Sequence, residues 1–79
     1  MGEQVNAVIR AWLDGSCLEA DRVSTNGRGL FSYGKLIGEV RGDAEVWVAR
    51  QHLSATTTGK RHIRKAVRMA EQREFEVTR

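Results

Sequence analysis

The chain has 79 residues, of which 41% are apolar, 13 are Lys or Arg and 10 are Asp or Glu, so its net charge is +3. This length predicts one small domain (residues 1–79) with a thin core, and the ordinary apolar fraction argues against a wholly disordered chain. One cysteine is too few for the disulfide scaffold of a small secreted protein, and no apolar run approaches the roughly 20 residues that span a bilayer.

The N-terminal stretch GEQVNAVIRAWLDG predicts an amphipathic helix over residues 2–15. Its apolar residues recur at the spacing of one helical face, namely Val5, Val8, Ile9, Trp12 and Leu13. Gly15 follows the last of them and suits a C-terminal cap.

Residues 18–33 predict a β-hairpin, because Asn26-Gly27 is a strong signal for a two-residue turn in which both residues have positive φ. Counting outward from this turn pairs Thr25 with Arg28, Ser24 with Gly29 and Val23 with Leu30. It also puts Phe31 and Tyr33 together on the opposite face of the strand.

Residues 33–50 predict a second hairpin that turns at Gly42-Asp43. Gly34 is expected to mark a bulge or a sharp change of direction before it. The predicted register sets Ile37 opposite Val48, Glu39 opposite Val46 and Gly38 opposite Trp47, so that the indole would cover the glycine.

Residues 54–75 predict the closing helix, with an N-cap at Ser54, Thr56, Thr57 or Thr58. Its inward side would be formed by Ile63, Ala66, Val67 and Ala70. Its other side would collect the basic residues Lys60, Arg61, Arg64, Lys65 and Arg68. The tail, residues 73–79, fits either a short edge strand or a frayed end.

These elements predict an α+β domain in the order αββββα, in which an N-terminal helix and a C-terminal helix cover one face of a small antiparallel sheet of two hairpins. Homodimerisation would add buried surface to so small a core.

The sequence contains no pattern that predicts catalysis, a metal site or a cofactor. Cys17, His52 and His62 are the only candidates for a nucleophile or base, and they lack CxxC or HxxxH spacing. Asp14, Glu19 and Asp21 lie close together, but their spacing is that of solvated loop charges as much as of metal ligands. We therefore expect a binding protein rather than an enzyme.

The chain resembles a family of small uncharacterised proteins of bacteriophages, prophages and related bacterial genomes. The resemblance covers residues from about 5 to about 67 and rests on a VIxAWLxG helix at residues 8–15, a Thr-rich start to the closing helix, and the pattern S-x-x-G-x-x-L-x-S-Y-x-x-x-I at residues 24–37. Gly38 departs from the alanine usual in the family, and His62 comes later than the family histidine. The resemblance implies a non-enzymatic accessory role in the cytoplasm of a bacterial host.

Two binding functions fit these features. The first is nucleic-acid binding, in which Lys60, Arg61, Arg64, Lys65 and Arg68 neutralise phosphates. The second is binding to a host protein, which the chain would occupy or inhibit, either through this basic helix or through exposed aromatic residues at Phe31, Tyr33 and Trp47. The simpler alternatives are a solvated helix face for the basic residues and a place in the core for the aromatic ones.

Overall fold

The computed structural model describes residues 2–50 and 57–79, and within them it contains two helices and a six-stranded sheet. The strands lie in chain order across the sheet; each neighbouring pair is antiparallel except the last, which is parallel. The elements are α1 (Gly2–Asp14), β1 (Cys17–Glu19), β2 (Val23–Asn26), β3 (Gly29–Ser32), β4 (Lys35–Gly42), β5 (Glu45–Val48), α2 (Thr57–Gln72) and β6 (Glu76–Thr78). The predicted α+β class is confirmed, with six strands instead of four.

The first helix ends where the sequence predicts. Gly15 has a φ of 79°, and its N–H donates to the Trp12 carbonyl at 3.2 Å while that of Ser16 donates to the Ala11 carbonyl at 2.8 Å. This pair of bonds is the Schellman arrangement, which satisfies the last carbonyl groups of α1. The predicted apolar face is buried from Val8 to Leu13.

The turn between β2 and β3 lies one residue later than predicted, at Gly27-Arg28. The Asn26 side chain explains the shift, because its Oδ1 accepts the backbone N–H of Arg28 at 3.0 Å and that of Gly29 at 2.8 Å. Val23 consequently pairs with Ser32 rather than Leu30. Each residue of β2 pairs two positions further along β3 than predicted. Because side chains alternate between the two faces, every side chain stays on its predicted face.

The turn with two positive φ values lies between β3 and β4 instead, at Tyr33 (53°) and Gly34 (78°). Gly34 thus marks the predicted change of direction. Tyr33 belongs to the turn rather than to a strand, so it does not share a strand face with Phe31, and that prediction is wrong.

The turn between β4 and β5 is also one residue later than predicted, because Gly42 pairs with Glu45 across Asp43-Ala44. The register places Gly38 opposite Val48, and the indole that covers Gly38 belongs to Trp12 of α1. A Cβ at position 38 would lie 2.8 Å from Cζ2 of Trp12. The Trp12 ring is fixed there by its Nε1–H, which donates to the Arg28 carbonyl at 2.8 Å.

The two additional strands lie at the two edges of the sheet. β1 pairs with β2, and β6 pairs in parallel with β5 after the chain has passed through α2. Of the two predictions for the tail, an edge strand or a frayed end, the structure shows the edge strand. Both helices pack on one face of the sheet, where their apolar sides meet Val23, Leu30, Ile37, Val46 and Val48 in one core.

Candidate nucleic-acid interface

The closing helix is amphipathic, as the sequence predicts. Ile63, Ala66 and Ala70 are buried, and Val67 is half-buried against the same core. The predicted N-cap residues Ser54 and Thr56, and the side chains of Thr57 and Thr58, lie outside the described residues.

The five predicted basic residues lie on the side of α2 that faces away from the core, and we call them the α2 stripe. Lys60, Arg61, Arg64 and Arg68 are exposed and Lys65 is half-buried. All of them except Lys60 line one shallow surface depression of about 330 Å³. The helix therefore brings together the whole set of residues that the sequence predicts as the nucleic-acid contact.

No carboxylate of the described side chains neutralises the α2 stripe within 4.0 Å. The ion pairs among those side chains lie elsewhere: Arg41 binds Glu39, and Arg73 at the end of α2 binds Asp14 at the end of α1. The positive charge of the stripe is thus available to an external anion.

The spacing of the α2 stripe makes its members repel one another. Five pairs are three or four residues apart, namely 60–64, 61–64, 61–65, 64–68 and 65–68. Each like-charge pair at this spacing costs about 0.2–0.5 kcal/mol, so the five cost about 1–2.5 kcal/mol at low salt. A helix that needed only a solvated face could avoid this cost by alternating the sign of its charges.

The charges also oppose the dipole of α2. Acidic residues stabilise a helix N-terminus and basic residues its C-terminus. The described helix has no acidic residue in its first turn and no basic residue in its last, where Glu71 lies. The α2 stripe therefore does not stabilise its own helix, and this favours a role in binding.

Two further basic residues, Arg28 and Lys35, lie at opposite ends of β3, and Lys35 lies at the end that contacts α2. Lys35 follows the turn that holds Tyr33, whose ring stacks on that of His62 in α2 with 6.0 Å between centroids. Arg28 lies at the opposite end of β3, where its carbonyl accepts from Trp12 of α1.

His62 lies within the helix segment that carries the stripe, but its side chain points into the protein. Its exposed fraction is 3%, and its Nδ1 lies 2.7 Å from Oγ of Ser32, which is fully buried. The sequence contains one signal for this burial, since His62 precedes buried Ala66 by one helical turn. A serine and a histidine at this distance have the chemistry of a nucleophile and a base, but both side chains are buried, so a substrate in solution does not reach them.

The other candidate catalytic and metal-binding residues do not lie together in the described part of the chain. Cys17 is exposed on the edge strand, where its Sγ–H donates to the Asn26 carbonyl, and Asp14 is bound by Arg73. His52 lies outside the described residues. Within the described part of the chain, no three His, Cys, Asp or Glu side chains are grouped as metal ligands.

The three aromatic residues of the alternative interface do not lie together. Phe31 and Trp47 are half-buried on the sheet face away from the helices, as their pairing shows, whereas Tyr33 lies on the helix side against His62. None of them belongs to the buried core.

Comparisons with protein-family models, curated proteins and solved structures found no match to this chain. In the described residues, neither helix has the length and apolar character that a membrane crossing requires.

Proposed function

We propose that this protein is a small, non-enzymatic, phage-type accessory protein that binds nucleic acid through the α2 stripe. The observation that carries the proposal is a set of five basic residues on one helix, at least partly exposed to solvent and without a carboxylate partner among the described side chains. The phage-type assignment depends on the family resemblance in the sequence.

The dimensions of the stripe suit a phosphate backbone. Residues 61 to 68 span about 10 Å of helix at a rise of about 1.5 Å per residue. A DNA duplex places about six phosphates in that length, about three on each strand. Binding would neutralise phosphates and relieve the repulsion between the five cations at the same time. Exposed residues between positions 60 and 68 are basic, so we expect contacts to phosphates rather than to base edges.

Fluorescence anisotropy with a labelled mixed-sequence duplex and its single strand tests the proposal. We expect binding at about 50 mM salt and a loss of affinity of about 10²-fold at about 200 mM, since four or five phosphates would be neutralised. The stripe triple variant, Arg61→Ala/Arg64→Ala/Arg68→Ala, should bind much more weakly at the lower salt.

The matched control removes three exposed arginines elsewhere, as Arg10→Ala/Arg28→Ala/Arg79→Ala, so that the net charge changes equally. Equal losses in the two triple variants would show attraction by net charge alone and would refute a local interface. Absence of binding to either nucleic acid at low salt would remove this function altogether.

A host-protein partner is the second candidate function, and the half-buried Phe31 and Trp47 on the uncovered sheet face favour it. Such a partner should be recovered stoichiometrically from host lysate after nuclease treatment, and Phe31→Ser/Trp47→Ser should abolish its recovery. Recovery of no stoichiometric protein would count against an inhibitor role.

A further inference from the structure

The sheet face away from the helices carries charge opposite to that of the α2 stripe. Residues that pair directly across strands share a face. Four glutamates fall on this outer face, because Glu19 pairs with Ser24, Glu39 with Trp47, and Glu45 with Glu76. We call this surface the outer sheet face.

A cation that lies on the outer sheet face, Arg41, is already engaged. Arg41 binds Glu39 at 3.3 Å and lies over the Trp47 ring, 5.4 Å from its centroid. Glu45 and Glu76 are direct neighbours of like charge on adjacent strands, a pairing that destabilises a sheet. Neither carboxylate has a basic partner within 4.0 Å among the described side chains.

Apolar side chains share the outer sheet face with these glutamates. Phe31 pairs with Leu36, which is 42% exposed, and the half-buried Trp47 lies on the same face of the sheet, on the strand next to that of Leu36. The face therefore suits a partner that offers cations on aliphatic stems. The position of Arg41 shows that the Trp47 ring accepts a guanidinium group.

We infer that the outer sheet face binds the α2 stripe of a second copy of this chain. The stripe has five positive charges on Lys and Arg stems, and the face has four glutamates around apolar side chains. The sizes also agree. The stripe, residues 60–68, extends about 12 Å along the helix, and Glu39, Glu45 and Glu76 lie on the three adjacent strands β4 to β6, about 10 Å across at about 4.8 Å per strand spacing.

Two different surfaces meet in this contact, so a pair of copies still has one free stripe and one free outer sheet face. Association therefore continues head to tail instead of stopping at a closed dimer. The inference does not depend on nucleic-acid binding. If both hold, a nucleic acid and a second copy compete for the same stripe, and duplex DNA dissociates the oligomers.

Sedimentation equilibrium tests the inference on the purified chain. At about 50 mM salt, we expect the weight-average mass to exceed the 8.9 kDa of the monomer and to rise with concentration without a plateau at the dimer. At about 0.5 M salt the mass should return to that of the monomer, because the Debye screening length falls to a few ångströms.

Two charge-reversal variants identify the surfaces. Glu45→Lys/Glu76→Lys changes the outer sheet face, and Arg64→Glu/Arg68→Glu changes the α2 stripe. Each should be monomeric alone at low salt. An equimolar mixture should associate again, because the intact stripe of one variant meets the intact outer sheet face of the other, and the reversed stripe meets the reversed face. Circular dichroism checks that both are folded, and Glu45→Gln/Glu76→Gln provides a milder outer-face variant.

A wild type that stays monomeric at low salt, a mass that stops at the dimer, or a mixture that fails to associate would overturn the inference. None of these results bears on the proposed function, since the outer-face variant retains the α2 stripe and should bind duplex DNA at least as tightly as the wild type. Conversely, a protein that does not bind DNA but still associates at low salt would contradict the proposed function and leave the inference of head-to-tail association unaffected.

Discussion

The α2 stripe should reduce the stability of the fold, and Arg64→Glu tests this directly. Arg64 takes part in three of the five repulsive pairs, with Lys60, Arg61 and Arg68. It is exposed, and no carboxylate of the described side chains lies within 4.0 Å of it. Reversing its charge therefore removes three repulsions and creates three attractions without breaking a described contact.

The expected gain follows from these pairs. Each change from repulsion to attraction contributes about 0.4–1 kcal/mol, twice the value of a single pair. Incomplete additivity reduces the sum for three pairs to about 1–2 kcal/mol. In a domain of this size, each kcal/mol raises the Tm by about 4–8 °C.

Thermal and urea unfolding at about 20 mM and 0.5 M salt provide the assay. Arg64→Glu should be more stable than the wild type at low salt, and the difference should shrink at high salt as screening weakens the wild-type repulsion. The matched control is Arg10→Glu on α1, which makes the same change of charge beside Asp14, one turn away, and should instead destabilise the protein slightly. An Arg64→Glu variant no more stable than the wild type at low salt would refute the reasoning.

Two further substitutions test the packing that positions α2 and α1. Ser32→Ala should lower the free energy of unfolding by about 1–3 kcal/mol, because it removes a buried hydrogen bond to His62 Nδ1. Urea unfolding measures the loss, and unchanged stability would contradict the described geometry. Gly38→Ala should cost about 1–3 kcal/mol because its Cβ would meet the fully buried Trp12 ring at 2.8 Å, whereas Gly42→Ala, whose Cβ would lie 3.5 Å from its nearest neighbour, should be tolerated in the same assay.

The helices could be predicted from the sequence because their signals are local. The apolar spacing in residues 5–13 defines both the extent and the buried side of α1, and the grouping of cations in residues 60–68 defines the exposed side of α2. Both depend only on residues within a few helical turns of one another.

Both hairpin turns lie one residue later than the dipeptide preference predicts, and at the first of them a side chain competes with that preference. At the first hairpin, the Asn26 side chain accepts two backbone N–H groups and so moves the turn to Gly27-Arg28. The sequence predicts Trp47 over Gly38, whereas the indole there belongs to Trp12, because strand register carries no information on how α1 packs on the sheet.

The remaining features require contacts between distant parts of the chain. Strand β6 pairs with β5 only after the crossover through α2, and three residues carry too little pattern to predict a strand. The four glutamates of the outer sheet face run from position 19 to position 76, and only the observed register brings them to one surface.

The most direct test of the proposed function is the salt dependence of duplex binding. For the wild type, log K against log salt should fall with a slope of about −4, as expected if four or five phosphates are neutralised. The stripe triple variant should have a slope less steep by about 2.7, because three contacts are lost. A wild-type slope near zero, or a slope that the triple variant leaves unchanged, would contradict the assignment of the α2 stripe as a phosphate-binding surface.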